Sequence, residues 1–251
     1  MKGIKNYGAT CWFNALMQCL MKSRKWNENT DDSFTKEFLR FMNQGGEGEL
    51  DNSNELDNSN ELDPVPFLKE FVKKFPDWQG LPNDAQEALI LLLDIFEKTI
   101  NLTDFTGEVT QTITFPKGTS VTKYPCTIFL NNEQLVLSDY KDNIGNVHNV
   151  AIQETLLTKI PKVLVLSDIK NKVEEEMFGK KLFALIPWCG GHYIAFVREL
   201  DNSRELDNSR ELDNSRELDN SRELDWLLFD DDSVSKATPN LSHNYYLAFY
   251  K

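Results

Sequence analysis

Apolar residues recur every three or four positions through the first hundred residues, and every second position after about residue 107. The first regime predicts four helices. Residues 11–22 form one, with Leu16, Cys19 and Leu20 at helix spacing, and Phe34, Phe38, Phe41 and Met42 mark another near 32–43. Pro64 or Pro66 can start a third, whose apolar face carries Phe67, Leu68, Phe71, Val72 and Phe75. Asp84-Ala85-Gln86-Glu87 reads as a capping box ahead of a stripe of Ala85, Leu89, Leu92, Leu93 and Phe96. The second regime predicts strands at 108–115, 126–130, 135–137, 162–166, 182–186, 191–198, 225–229 and 244–250, interrupted by a short helix near 151–158. Helices first and strands afterwards predict an α+β fold with a cleft between a helical lobe and a sheet lobe.

Two stretches break both periods. E-L-D-N-S-N repeats from 49 to 63, and E-L-D-N-S-R repeats from 199 to 225. One Leu in six winds around a helix without forming a stripe. A strand would place every Leu on one face, but Asp-Asn-Ser favours turns, and so little apolar surface cannot offset ordering entropy. Disordered, solvated padding is the expectation for both. The 251 residues then suit one domain, 1–251, or two closely packed lobes sharing a cleft, interrupted at 49–63 and 199–225.

The tracts also carry most of the net charge of −13. The first holds six acids and no base, the second ten acids and four arginines, which leaves the other residues with 24 acids against 23 bases. No basic cluster with interleaved aromatics appears, so no nucleic-acid role is expected. At 40% hydrophobic, with 16 Phe and 5 Trp, the chain can bury a sizeable core. It has no apolar run long enough to span a membrane and no signal-peptide core at its start. Cys11, Cys19, Cys126 and Cys189 include no C-x-x-C pair, which argues against a zinc ribbon and a disulfide framework and for a reducing, intracellular setting. A monomer is expected.

Candidate chemistry begins at Cys11, which follows the turn-forming Tyr7-Gly8-Ala9-Thr10 and opens the first helix. Backbone N–H groups and the helix dipole favour an anion there. A thiol nucleophile needs a base, and the base needs a third group to hold its tautomer. His192 heads an alternating run after Gly190-Gly191, and Asp230, Asp231 and Asp232 end another apolar run. Antiparallel pairing of the two runs would set His192 beside Asp230. His148 and His243 lie in polar turns and are weaker candidates for the base.

These residues, with their surroundings, resemble the catalytic domain of the ubiquitin-specific protease family of cysteine deubiquitinases. G-I-K-N-Y-G-A-T-C-W-F-N-A-L-M-Q-C-L at 3–20, D-A-Q-E at 84–87, and G-G-H-Y-I-A-F-V-R followed by W-L-L-F-D-D-D-S-V-S carry the likeness in the family's order. The resemblance implies a papain-like fold with a helical thumb and an antiparallel β palm. It implies Cys11 as nucleophile, His192 as base and Asp230 as the acid that orients it. Asn6 would donate to the oxyanion with Asp231 assisting, and Asn14 would be structural. Asp84 and Glu87 would grip the substrate tail or act only as the capping box, and Gly191 and Tyr193 would lie against the substrate backbone. The partner implied is ubiquitin or ubiquitinated protein, and no cofactor or metal is needed.

The departures are specific. The region after Gly107 has only Cys126 where the family carries two C-x-x-C pairs, so reduced, zinc-free fingers are expected. Trp188-Cys189 replaces a polar gating loop, Pro82-Asn83 replaces a Gln pair, and Ser167-Asp168-Ile169 stands where Arg-Phe is usual. The function expected is thiol-dependent hydrolysis of isopeptide or peptide bonds at the terminal glycine of ubiquitin. A catalytically silent ubiquitin-binding module and a protease for a ubiquitin-like modifier are the alternatives.

Overall fold

The computed structural model describes residues 2–44, 61–130, 135–170, 172–198 and 225–251. The repeat tracts lie outside them, apart from Glu61-Leu62-Asp63 and Asp225.

The four predicted helices are α1 (Cys11–Ser23), α2 (Ser33–Gln44), α3 (Val65–Lys74) and α4 (Ala85–Thr99). Every residue of α1 from Cys11 to Leu20 is buried, as expected of a helix apolar on most of its circumference. Asn14 and Gln18, polar residues within that buried stretch, have local duties. Asn14 Nδ2 donates to Ile4 O at 3.2 Å and Gln18 Nε2 to Lys2 O at 2.9 Å, one helical turn apart, so they staple the N-terminal strand along the helix. Around α1 the core is aromatic: Phe13, Phe38, Phe67, Phe71 and Phe96 are fully buried, with Phe38 and Phe96 rings 4.2 Å apart. Of the predicted capping box, the outgoing half is present: Asp84 Oδ1 accepts from Glu87 N at 2.8 Å. Among the described residues, no bond from the Glu87 side chain returns to the Asp84 backbone N–H.

The palm is a twisted sheet in the order β13-β12-β11-β10-β14-β8-β5. Its strands are β5 (Phe129–Leu130), β8 (Leu164–Ile169), β10 (Lys180–Ile186), β11 (Ala195–Arg198), β12 (Trp226–Asp230), β13 (Ser233–Lys236) and β14 (Tyr245–Tyr250), with β9 (Glu176–Met177) pairing β10 at its start. Pairing is antiparallel except between β5 and β8. One face of β10 and β14 packs on α1; the other covers a second cluster containing Leu164, Leu182, Leu185 and Tyr250.

A separate antiparallel sheet, β4-β3-β7-β6, occupies the finger region, with β3 (Gly107–Phe115), β4 (Gly118–Cys126), β6 (Leu135–Lys141) and β7 (Val147–Lys159). The short helix expected near 151–158 is absent, because that segment belongs to β7. Its Ile152, Glu154 and Leu156 alternate with Gln153, Thr155 and Leu157, and the whole run pairs in register with β3, Leu156 opposite Thr110 and Thr155 opposite Gln111. Over eight residues the two periods compete, and pairing along the length of β3 decides for the strand. The strand expected over 126–130 is likewise two: Cys126 ends β4, and Phe129 joins the palm.

The end of the first tract, residues 61–63, is not padding. Glu61-Leu62 forms β2, parallel to β1 (Gly3–Ile4), and Leu62 is buried. Asp63 Oδ1 accepts from Val65 N at 3.0 Å and Tyr7 OH at 3.3 Å, so the last repeat unit anchors both α3 and the loop before Cys11. The second tract joins β11 to β12 where Arg198 pairs with Trp226, its guanidinium 4.7 Å from the indole centroid. His192 and Asp230 flank the opposite end of this strand pair. Replacing 199–225 by a two-residue Asn-Gly hairpin turn is therefore expected to keep turnover within about twofold, since closure entropy depends only weakly on the length of a connection. Steady-state kinetics of the shortened protein check this.

Candidate active site

Cys11 is the first residue of α1 and is 7% exposed. The loop before it is folded on itself: Thr10 N donates to Gly8 O at 2.8 Å, and Gly8 takes φ +96, which glycine adopts without strain. Thr10 occupies the N-cap position yet makes no cap hydrogen bond. Its hydroxyl accepts from Tyr7 N at 3.1 Å and donates to Asn6 Oδ1 at 2.9 Å. Among the described residues no side-chain cap is thus made to the first-turn N–H groups of α1, beside the Cys11 sulfur. Burial pushes the Cys19 and Cys126 thiols up, and burial together with the Asp230 carboxylate does the same to Cys189. All four cysteines are free.

His192 sits on a tight loop between Trp188 and Tyr193, which form an isolated bridge, while Cys189 N donates to His192 O at 2.8 Å. Gly190 and Gly191, at φ +65 and +107, make that turn possible, so β11 begins at Ala195 and not at 191 as the alternation suggests. Ala195 pairs with Phe229, which brings His192 to the end of β12, where its Nε2 lies 2.7 Å from Asp230 Oδ1. Both side chains are exposed, 39% and 54%, so the pair orients the ring and adds little to stability.

The three adjacent aspartates divide the work. Asp230 holds the imidazole. Asp231, in the left-handed region at φ 54, turns the other way: its carboxylate accepts from Asn6 Nδ2 and, at 2.7 Å, from Asn14 Nδ2, and its carbonyl accepts from Ile4 N at 3.0 Å. Asp232 presents its backbone to Gly3, where any Cβ would come within 2.2 Å of the carbonyl oxygen. The palm hairpin is thereby bolted to the loop that precedes Cys11. Asn6 is held at both ends, its oxygen by Thr10 and one amide hydrogen by Asp231, which fixes the direction of the second amide hydrogen.

Cys11 lines a cavity of about 560 Å³ between the start of α4 and the palm, with Asp84, Trp188, Gly191, Tyr193 and Tyr246. Asp84 uses its second oxygen to accept from Tyr246 OH. The Tyr193 and Tyr246 rings are 5.6 Å apart, and burial together with the Asp84 carboxylate pushes the Tyr193 phenol up to about 12 and the Tyr246 phenol up as well. Of the residues expected at the substrate, Asp84, Gly191 and Tyr193 are on this wall; Glu87 is not, and it contributes its backbone N–H to the cap. No hydrogen bond joins Cys11 to His192 among the described residues; Gly191 and Tyr193, which flank His192 in sequence, face the same cavity as Cys11. Ser167 lines a second cavity of about 370 Å³ with Asp94 and Glu97 of α4, and its buried hydroxyl has no hydrogen-bond partner among the described residues.

Among the described residues, the one trio whose ligand atoms converge within 4.8 Å is His192, Asp230 and Asp231, and hydrogen bonds within the site already account for that convergence. His148, read as a turn residue, is instead buried, with Nε2 3.0 Å from Asp142 Oδ2 and its ring 4.4 Å from Phe115, far along the finger sheet. The sequence reading missed Thr10, which looks like an ordinary N-cap, and Tyr246, whose signal is only its place in an alternating strand.

No curated protein matches the sequence. Among solved structures, the chain resembles one from the SAGA Ubp8/Sgf11/Sus1/Sgf73 DUB module bound to ubiquitin aldehyde, with a TM-score of 0.63 and 16% identity, covering 100% of this chain and 69% of that one. A chain of the same module bound to monoubiquitin gives a TM-score of 0.64 at 17% identity, covering 100% and 68%. One from the yeast module with a mutant Sgf73 gives 0.66 at 17%, covering 100% and 68%. At these identities the likeness establishes the fold. Residues 2–250 match the family described as ubiquitin carboxyl-terminal hydrolase, and the chain belongs to that family.

Proposed function

We infer that this protein is a thiol-dependent deubiquitinase that hydrolyses the isopeptide or peptide bond following the terminal glycine of ubiquitin. One observation carries the assignment of roles: His192 is oriented by Asp230 at 2.7 Å, while the neighbouring Asp231 fixes Asn6 beside the uncapped helix start that bears Cys11. Cys11 attacks the glycine carbonyl. His192 takes the thiol proton and later delivers it to the leaving lysine amine, with Asp230 holding the ring and favouring the imidazolium. The oxyanion is received by the free amide hydrogen of Asn6 and the backbone N–H of Cys11. Water, activated by His192, then opens the thioester. Thiol, imidazole, amide and water supply every group this sequence needs.

Residues 1–251 act as one catalytic domain, with the repeat tracts inserted at 49–63 and 199–225. The thiol must stay reduced, which suits an intracellular setting. No described helix is long and apolar enough to cross a membrane.

Ubiquitin carrying a C-terminal electrophile tests the reading. A covalent adduct of one ubiquitin per chain is expected, and Cys11→Ala should abolish it. Binding of ubiquitin without adduct would favour a silent binding module, and an adduct formed only with a ubiquitin-like modifier would move the substrate to that modifier.

A further inference from the structure

Trp188 is 58% exposed, while Trp12, Trp26 and Trp226 are buried and Trp78 is half-buried. An exposed indole is unusual enough to need a reason, and its placement supplies one. Pro187 and the end of β10 hold it on one side, and the bridge to Tyr193 with the Cys189–His192 hydrogen bond holds it on the other. It therefore cannot swing aside as part of a long loop. Trp188 lines the same cavity as Cys11, with Tyr193 and Tyr246 also among its lining residues.

Resting on the function proposed above, we propose that Trp188 is a substrate-binding residue that covers the extended, glycine-terminated tail as it enters the cleft, stacking on its peptide planes. Glycine at the end of the tail leaves the backbone there bare and open to a ring face, and large aromatic surfaces that become fully covered dominate affinity at such contacts. Here the aromatic wall is pinned by the bridge to Tyr193 and already lines the cleft, so the tail is held by a surface in place. Little ordering is then required on binding.

The test uses the indole itself. In full-length Cys11→Ala protein, saturating ubiquitin is expected to shift tryptophan emission to the blue. The shift should vanish in the Cys11→Ala/Trp188→Phe protein, although labelled ubiquitin still binds by anisotropy, and ubiquitin lacking its last two residues should not produce it. In the active enzyme, Trp188→Ala is expected to raise KM by about tenfold or more with kcat within about threefold, and Trp188→Phe to restore most of the loss. Emission unmoved by bound ubiquitin overturns the inference and leaves the deubiquitinase reading intact. So does a fall in kcat at constant KM, which would mark Trp188 as a mere support for His192. Failure of Cys11→Ala protein to bind ubiquitin at all overturns the functional reading itself, and this inference with it.

Discussion

Cys11→Ala and His192→Ala are each expected to lower kcat for a fluorogenic ubiquitin C-terminal amide by ~10⁶, and the double variant to lose no more than either alone. The reason is that sulfur and imidazole act as one unit: without the base the thiol is a poor nucleophile, and without the thiol the base has nothing to activate. Asp230→Asn should cost ~10⁴, even though an amide oxygen can still accept from the ring at 2.7 Å. An amide cannot stabilise the imidazolium that forms as the thiol is deprotonated, and it can rotate to donate, which would fix the wrong tautomer. KM should change little in each case, because none of these groups is needed to hold the tail. The comparison that decides the assignment is Asp232→Asn, expected to leave kcat nearly untouched, since its backbone and not its carboxylate meets Gly3. Should Asp230→Asn lose less than about tenfold while Asp232→Asn loses more, the acid has been misplaced.

Much of this arrangement is legible in the chain because its determinants are local. The helices of the thumb declare themselves through a 3.6-residue period reinforced at their ends, as at Pro64 and Asp84. Cys11 and His192 are each announced within ten residues by turn chemistry on one side and a periodic run on the other. What stays hidden depends on distant partners. β4 is largely Thr, Ser, Lys and Tyr, exposed along most of its length, and only its pairing with β3 makes it a strand. β13 is four exposed residues. The last E-L-D unit of the first tract carries no local signal for a strand, and it pairs because β1 offers an edge and Tyr7 a hydroxyl. The division of labour among Asp230, Asp231 and Asp232 follows from the left-handed turn at Asp231 and from glycine at position 3 allowing β1 to lie against it. No window of sequence contains both.

That division makes a second prediction, of a different kind. Asn6→Ala is expected to reduce kcat by ~10²–10³ with KM nearly constant, the loss typical when one donor to an oxyanion is removed, because the charge it meets exists only on the way to the tetrahedral intermediate. Asp231 reaches that charge through Asn6: it holds one amide hydrogen so that the other is aimed. Asp231→Asn is the informative change, since asparagine tolerates the left-handed backbone at φ 54 and preserves the turn. It leaves one oxygen where two had served Asn6 and Asn14. A loss in kcat of about tenfold to a hundredfold is expected, smaller than that of Asn6→Ala because the donor remains but is less well aimed. In the double variant the losses should not multiply: once the amide is gone, aiming it has no value, and kcat should match that of Asn6→Ala alone. Multiplicative losses would instead mean that Asp231 acts on the substrate in its own right, and the route through Asn6 would have to be abandoned.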